Sequence, residues 1–369
     1  MNAGPSLDLW DQGNPKIIWD GLGILNAYSG VGHHAASLYA ALAAAGVHPR
    51  VTYIGNKKPG FMNEADAIMV DDCFRLAGRF PKIAGSKPVF SNISYSVSKN
   101  LSKSMIYHGL SNINLPTIMK KRTTDRFVLT VHDLIPLLTG HKSLLSMQMQ
   151  ALLPSVLARA DAIIAISSWT KASVLQRYGQ HLSSKIAVIG NGFPNQITPH
   201  GRESSSLVLS IARGEGYKRL ELTAAIAQSL PNINFHIVTD VQGRQRLKNA
   251  GKNITIHVGI SDEALEELYS KSRVLLHTSL FEGWCLPVAH ALSRALRVVY
   301  CAGSGIDEVC RHYPQSSCGI QPSSPLDHWI NAVEEAVKNP VLASQHLPSG
   351  LLSWKSVGLE TLKIYRNLV

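Results

Sequence analysis

The 369-residue sequence has no apolar run approaching the roughly 18 residues that a membrane-spanning helix needs. Its opening stretch, MNAGPSLDLWDQGNPK, lacks a basic region followed by an apolar one, so no secretory leader is expected there. Cysteine is scarce. The five residues, Cys73, Cys285, Cys301, Cys310 and Cys318, are odd in number and none has CxxC spacing. That pattern suits reduced thiols in a cytosolic protein better than a disulfide framework. No Asp-x-Asp pair suited to a Mg²⁺–diphosphate bridge occurs. There is no internal repeat with a period of about 20–50 residues and no low-complexity tract.

Acid is also in short supply, 25 Asp and Glu against 36 Lys and Arg, which leaves a formal charge of +11. Such a surface attracts phosphate-rich partners: nucleic acid, an anionic membrane face or a diphosphate ligand. Nucleic acid is disfavoured. The chain has no helix-turn-helix, zinc-finger or RNP-type signature, and its basic residues do not alternate with aromatics in one stripe. A solvated basic surface without a membrane role stays open beside the membrane reading.

With 45% hydrophobic and 17% charged residues the chain can build real cores, and its length exceeds what one core usually serves. Two domains are expected. The first begins with KIIWD, a short apolar strand, then a tight turn at Gly30-Val31-Gly32, then an alanine-rich helix over 35–45 that Gly46 ends. VTYIG, FVLTV and ADAIIAIS read as further strands, with helices near 146–158 and in SSWTKASVLQRYG. The segment PNQITPHGRESSS is the best linker. After it the pattern restarts, with strands LVLSIAR, NFHIVTD, ITIHVG, RVLLHTS and RVVYC among helical stretches. Strands alternating with helices mean βαβ units and parallel sheets covered on both faces. Two such halves form doubly wound domains facing a cleft, with ligands at the carboxyl ends of the strands.

The stretch SLFEGWCLPVAHAL carries one acid, Glu282, and one imidazole, His290, across a loop that turns into a helix. Pro287 fits the first helical position, where its missing N–H is not needed. The N–H groups of Gly283, Trp284, Cys285 and Leu286 then lie at the positive end of the helix dipole, an anion site made of backbone. Glu282 can accept bonds from hydroxyls, and His290, in the first turn, can reach the same ligand. Hydroxyls plus phosphate suggest a sugar phosphate; a helix start with a solvent-facing Glu is an even alternative. In SIARGEGYKRLEL, Arg213 and Lys218 flank a loop leaving a strand and could hold a diphosphate. Taken alone, most such pairs are a solvated basic loop; their place at a strand end, in the same half as the first site, favours the ligand. His132 ends the strand of TVHDL and would face the cleft, although a lone histidine is more often a core residue bonded to backbone. His33 and His34, adjacent and without a third ligand, are a weak metal signal. Gly30-Val31-Gly32 is not a complete dinucleotide fingerprint, since residue 35 is alanine.

Together these segments resemble glycosyltransferase family 4, retaining enzymes of the GT-B fold. SLFEGWCLPVAHAL is similar to that family's EGFGLP…E signature. YSGVGHHAASLYAAL, HDLIPLL, ADAIIAISSWTKASVLQRYG with KIAVIGNGF, ARGEGYK, SGIDEV and the terminal SW…IYRNL resemble its other segments in the same order. The resemblance covers nearly the whole chain. It implies a Rossmann-like acceptor-side domain over 1–194, a Rossmann-like nucleotide-sugar domain over 195–350, and a helix in 351–369 packing back on the first. It further implies that Arg213 and Lys218 hold the donor diphosphate, that Glu282 contacts donor-sugar hydroxyls, and that the backbone of Gly283 to Leu286 holds sugar and phosphate. His132 would lie by the transferred sugar, with Gly30 to Gly32 near the donor phosphate or the acceptor. No cofactor and no metal are implied.

Two positions depart from the family. Its second Glu, which binds the ribose diol, falls at His290, and the third residue of its GFG is Cys285. A neutral imidazole accepts one bond where a carboxylate accepts two, and losing a charge-assisted bond costs about 1.5–3 kcal/mol before any replacement. The expected activity is transfer of a sugar from a nucleotide donor to a hydroxyl acceptor. GDP-mannose is favoured, because HDLIPLL and ARGEGYK look most like the mannosyltransferase branch; UDP-sugars come second. The expected acceptor is a lipid-linked glycan of a bacterial surface polysaccharide such as lipopolysaccharide, at the inner, cytoplasmic face of an anionic membrane. The alternative is a nucleotide-sugar-binding protein weakened by His290.

Overall fold

The structure, a computed structural model, describes residues 16–24, 29–53, 60–70, 87–101, 104–140, 143–194, 206–339 and 352–369. Cys73 and most of the linker segment fall outside them. The chain divides into two compact units, Met1–Gly192 with Leu352–Val369, and Phe193–Leu351.

The first unit is built on β1 (Lys16–Asp20), β2 (Arg50–Tyr53), β3 (Ala67–Met69), β4 (Met105–Gly109), β5 (Arg126–Val131), β6 (Ala162–Ala165) and β7 (Ile186–Val188). These form one sheet in the order β3-β2-β1-β4-β5-β6-β7, with every neighbouring pair parallel. Alternate residues feed opposite faces, as strand geometry requires. Ile18, Met105, Tyr107, Phe127 and Leu129 join one apolar cluster; Ile17, Trp19, Ile106 and Val128 join the other. The second cluster is closed by α1 (Gly30–Ala44) and by α12 (Trp354–Asn367), which brings Tyr365 into the core. Trp19 Nε1 donates to the Tyr365 hydroxyl (3.1 Å), which bonds His108 Nδ1 (2.6 Å); His108 Nε2 meets Thr130 Oγ1 (2.8 Å).

One expectation is corrected here. Gly30-Val31-Gly32 does not make a tight turn before the helix; these residues are its first turn. Ser29 caps the helix by accepting the Gly32 N–H (3.0 Å), the usual role of a serine at that position. Four strands go beyond those expected from the sequence, the central β4 in SMIYHGL and the edge strands β3, β7 and β13.

The second unit holds β8 (Val208–Ile211), β9 (Phe235–Thr239), β10 (Ile254–Val258), β11 (Val274–His277), β12 (Arg297–Cys301) and β13 (Ser317–Ile320), in the order β10-β9-β8-β11-β12-β13 and again all parallel. Trp329 and Val333 of α11 (Leu326–Lys338) pack on Val208, Val274, Leu276 and Val299. Each sheet is doubly wound, so each unit is Rossmann-like. The strand order reverses between β1 and β4 in the first unit and between β8 and β11 in the second. Crevices at such reversals, beyond the strands' carboxyl ends, are where open α/β sheets take ligands. Among the described residues no helix is long and apolar enough to cross a membrane.

Candidate active site

At the reversal in the second unit, two loops leave neighbouring strands. One follows β8 and runs through Arg213 to a 3₁₀ turn at Gly216–Lys218. The other follows β11 and runs through Glu282 into α9 (Leu286–Ser293). They are stitched together by backbone and hydroxyl bonds. The Leu280 N–H donates to Tyr217 O (2.8 Å), and Thr278 Oγ1 donates to Lys218 O (2.9 Å). A third loop clamps the second from the far side: Glu282 N–H donates to Ser304 Oγ (3.2 Å), and Gly305 N–H to Glu282 O (2.9 Å). Gly305 has to be glycine, because a Cβ there would lie 2.1 Å from Gly283 O.

This scaffold brings Lys218 and Glu282 together. Lys218 Nζ is 2.6 Å from Glu282 Oε1, and both side chains are largely buried. Burial pulls the ammonium toward a lower pKa, but the adjacent carboxylate outweighs it and holds Lys218 above the usual lysine value. The converse holds for Glu282. Burial alone would raise it, whereas Lys218 and a bond from His277 keep it well below the usual carboxylate range. The pair is fully ionised near neutral pH.

His277, read from the sequence only as a strand residue, is part of this cluster. Its Nε2 lies 2.8 Å from Glu282 Oε1 and 3.4 Å from Cys285 Sγ. A histidine at a strand end five residues before the acid is the signal the sequence offers for it. Cys285 itself adopts φ +78, a region that favours glycine, which accounts for the family's glycine there. Burial and the Glu282 charge push its thiol far up, so it is protonated and a poor nucleophile. His277, Glu282 and Cys285 offer three ligand atoms within 4.8 Å of one another, as a metal site would. The Lys218 ammonium already pairs with the Glu282 carboxylate of this group.

Arg213 is not drawn into this cluster. Its side chain is 66% exposed and pairs with Glu215 Oε1 at 2.9 Å. An exposed pair of this kind is worth about 0–1 kcal/mol and yields readily to a stronger anion. The first turn of α9 also differs from expectation. The helix starts at Leu286, so Pro287 takes its second position, and no side chain caps the N-terminus. His290 is therefore its fifth residue, past the first turn. Its Nδ1 lies 3.4 Å from Arg294 Nη1, which also donates to the His290 carbonyl at 3.0 Å. The ring stacks with Tyr269 at 6.1 Å. Arg294, held by Glu266 at 2.8 and 2.6 Å, presents a permanent donor, so Nδ1 is an acceptor.

In the first unit, His132 directly follows β5 and is buried. Its Nε2 is 2.9 Å from Leu110 O, the backbone-bonded state that a lone histidine favours. Its ring meets that of His34, the fifth residue of α1, edge-on at 5.0 Å, while Gly30 and Gly32 lie in the first turn of that helix. His34 bonds Asn191 Oδ1 through Nδ1 at 2.7 Å; burial, then the nearby His132, lower its pKa to about 3.

Two family models match the chain. Glycosyltransferase Family 4 matches residues 28–196 and Glycosyl transferases group 1 matches residues 194–346. A curated relative, a phosphatidylinositol N-acetylglucosaminyltransferase subunit of Arabidopsis thaliana, is 22% identical over 79% of this chain and 67% of its own length. Among solved structures, sucrose-phosphate synthase from Thermosynechococcus elongatus superposes with a TM-score of 0.75 at 18% identity, covering 96% of this chain and 99% of its own. Anabaena HepE in complex with UDP and glucose gives 0.73 at 13% identity, covering 96% and 100%. The pneumococcal O-GlcNAc transferase GtfA in complex with UDP and GlcNAc gives 0.69 at 14%, covering 96% and 99%. At these identities the structural likeness speaks to the fold.

Proposed function

The chain belongs to glycosyltransferase family 4, and on that premise we propose that it moves a sugar from a nucleotide-sugar donor to a hydroxyl of a glycan acceptor, with retention at the anomeric carbon. The observation that carries this reading is the buried Lys218–Glu282 pair at the sheet reversal, beside the uncapped start of α9. Lys218, Arg213 swung from Glu215, and the N–H groups of Gly283 to Leu286 neutralise the departing diphosphate. Aimed donors of this kind supply the largest share of many rate enhancements, and here they take the place of a metal. Glu282 accepts from hydroxyls of the sugar. The route is an oxocarbenium-like state attacked from the leaving-group side. The first unit, with His132 and the start of α1, takes the acceptor side, and His290 stands in for the family's ribose-binding Glu.

Mannose from GDP-mannose is the favoured donor, on the likeness of HDLIPLL and ARGEGYK to the mannosyltransferase branch. A UDP-sugar is the second reading, favoured by the UDP bound to HepE and to GtfA. The acceptor is a lipid-linked glycan of a bacterial surface polysaccharide, and the +11 charge holds the enzyme at the cytoplasmic face of an anionic membrane. The test is a panel of GDP- and UDP-sugars, scored first by thermal shift and then by transfer to a lipid-linked acceptor. The expected result is a stabilising donor, a product of retained configuration, and turnover that survives EDTA. A binding donor that is neither transferred nor hydrolysed makes the chain a binding protein; loss of turnover on chelation, restored by Mn²⁺ or Mg²⁺, overturns the metal-free reading.

A further inference from the structure

We propose that His277 is a positioning residue for Glu282: it pins one carboxylate oxygen so that the other is presented to a hydroxyl of the donor sugar. The inference rests on the nucleotide-sugar reading above and adds a residue to it. Both protein donors reach the same atom, Lys218 Nζ at 2.6 Å and His277 Nε2 at 2.8 Å from Oε1. Among the described residues no protein donor meets Oε2. A carboxylate offers about four acceptor sites, so Oε2 keeps its capacity while two anchors on Oε1 restrict how the group can turn.

The anchors come from separate elements, the 3₁₀ turn and the end of β11, and the bonds between their loops hold them in register. His277 has little freedom, being 2% exposed at the end of a strand flanked by β8 and β12. Its other ring nitrogen points to a function as well. With Nε2 on Glu282, the other nitrogen, Nδ1, is buried with no hydrogen-bond partner. An unsatisfied buried polar atom destabilises a fold, and an aliphatic residue would avoid it. Val274, Leu275 and Leu276 show that this strand accepts aliphatic side chains. The histidine thus places a donor on Glu282 while leaving its own Nδ1 unsatisfied. Cys285 Sγ, 3.4 Å from the same Nε2, is a weaker second acceptor of that N–H, held there by a backbone conformation that side chains rarely adopt.

The experiment compares wild type with His277→Leu, His277→Gln and His277→Asn by calorimetry. Each is titrated with GDP and GDP-mannose, and with UDP and UDP-glucose. The Gln amide reaches about as far as Nε2, whereas the Asn amide stops near Nδ1. The expected result is that Leu and Asn bind the nucleoside diphosphate as wild type does but lose about ten-fold in affinity for the preferred nucleotide sugar, the weight of one bond to a charged group. Gln stays within about three-fold of wild type. Equal losses for diphosphate and nucleotide sugar would mark a purely structural residue. Retention of the sugar's contribution in Leu or Asn would also overturn the proposal. If Leu fails to fold, the Asn–Gln contrast decides alone. A wild type that binds no nucleotide sugar at all removes the donor reading, an outcome distinct from either failure.

Discussion

In the first unit two buried imidazoles are kept neutral: His34 and His108 both have pKa values lowered to about 3. In the second unit a largely buried ion pair, Lys218 on Glu282, stays charged although burial opposes both charges. The first arrangement settles its histidines by removing charge. The second keeps charge in a crevice, where it is strongest against an anion or a hydroxyl. On this contrast the first unit's histidines hold a fold together, whereas the second unit's pair is held together by one.

The sharpest break is Lys218→Ala. It leaves the Glu282 carboxylate buried without a cation, and removing one partner of such a pair costs about 3–5 kcal/mol. Denaturant unfolding should show that loss in the second unit, with turnover abolished. Lys218→Ala matching wild type in stability would mean that the pair is solvated and the contrast false.

Acid separates the units next. His34 and His108 stay unprotonated in the fold but take a proton when unfolded, so each lowers stability as pH falls from 6.5 toward about 3. The slope is about 1.4 kcal/mol per pH unit for each. Glu282, depressed in the fold, stabilises the second unit fully above its ordinary value of 4.5, and this is lost only as pH falls below that. His236, His257 and His312 of the second unit are lowered by burial too, but they are less buried than His34 and His108, so amide exchange followed from pH 7 to pH 5 should show protection lost first in the first unit. Loss in the second unit first would reverse the comparison.

The smallest effect is Cys285→Gly. Glycine relieves the left-handed backbone at φ +78, worth about 1–2 kcal/mol, and gives back about 0.5–1 kcal/mol in chain entropy. A net gain of up to about 1 kcal/mol is expected in the midpoint of urea unfolding. A clear loss would show that the thiol's contact with His277 outweighs the strain.

Much of this is legible in the chain itself. The strand–helix alternation gives both parallel sheets, and the loops carrying Lys218 and Glu282 are recognisable because glycine, proline and isolated charge stand out against apolar strands. What stays hidden depends on contacts distant in sequence. SMIYHGL carries a central strand without an obvious turn signal, and His108 inside it looks polar until Tyr365, 257 residues away, bonds it. His277 escapes notice because a histidine ending an apolar strand gives no sign of which side chain it will meet. The sequence sets His290 one position too early because Pro287 suits either of the first two helical positions, and its bond to Arg294 forms only once the helix exists.

The return of the chain to its first unit has a consequence for the order in which the protein is made. The second unit is an insertion, with everything it needs encoded between Phe193 and Leu351. The first unit, although its strands are synthesised earlier, cannot complete its interior until Tyr365 arrives to join Trp19 and His108. Domains usually fold in the order of synthesis. Here the earlier-made half needs a segment that follows the second unit in the chain, and without it the apolar face of β1 and α1 that α12 covers has no lid.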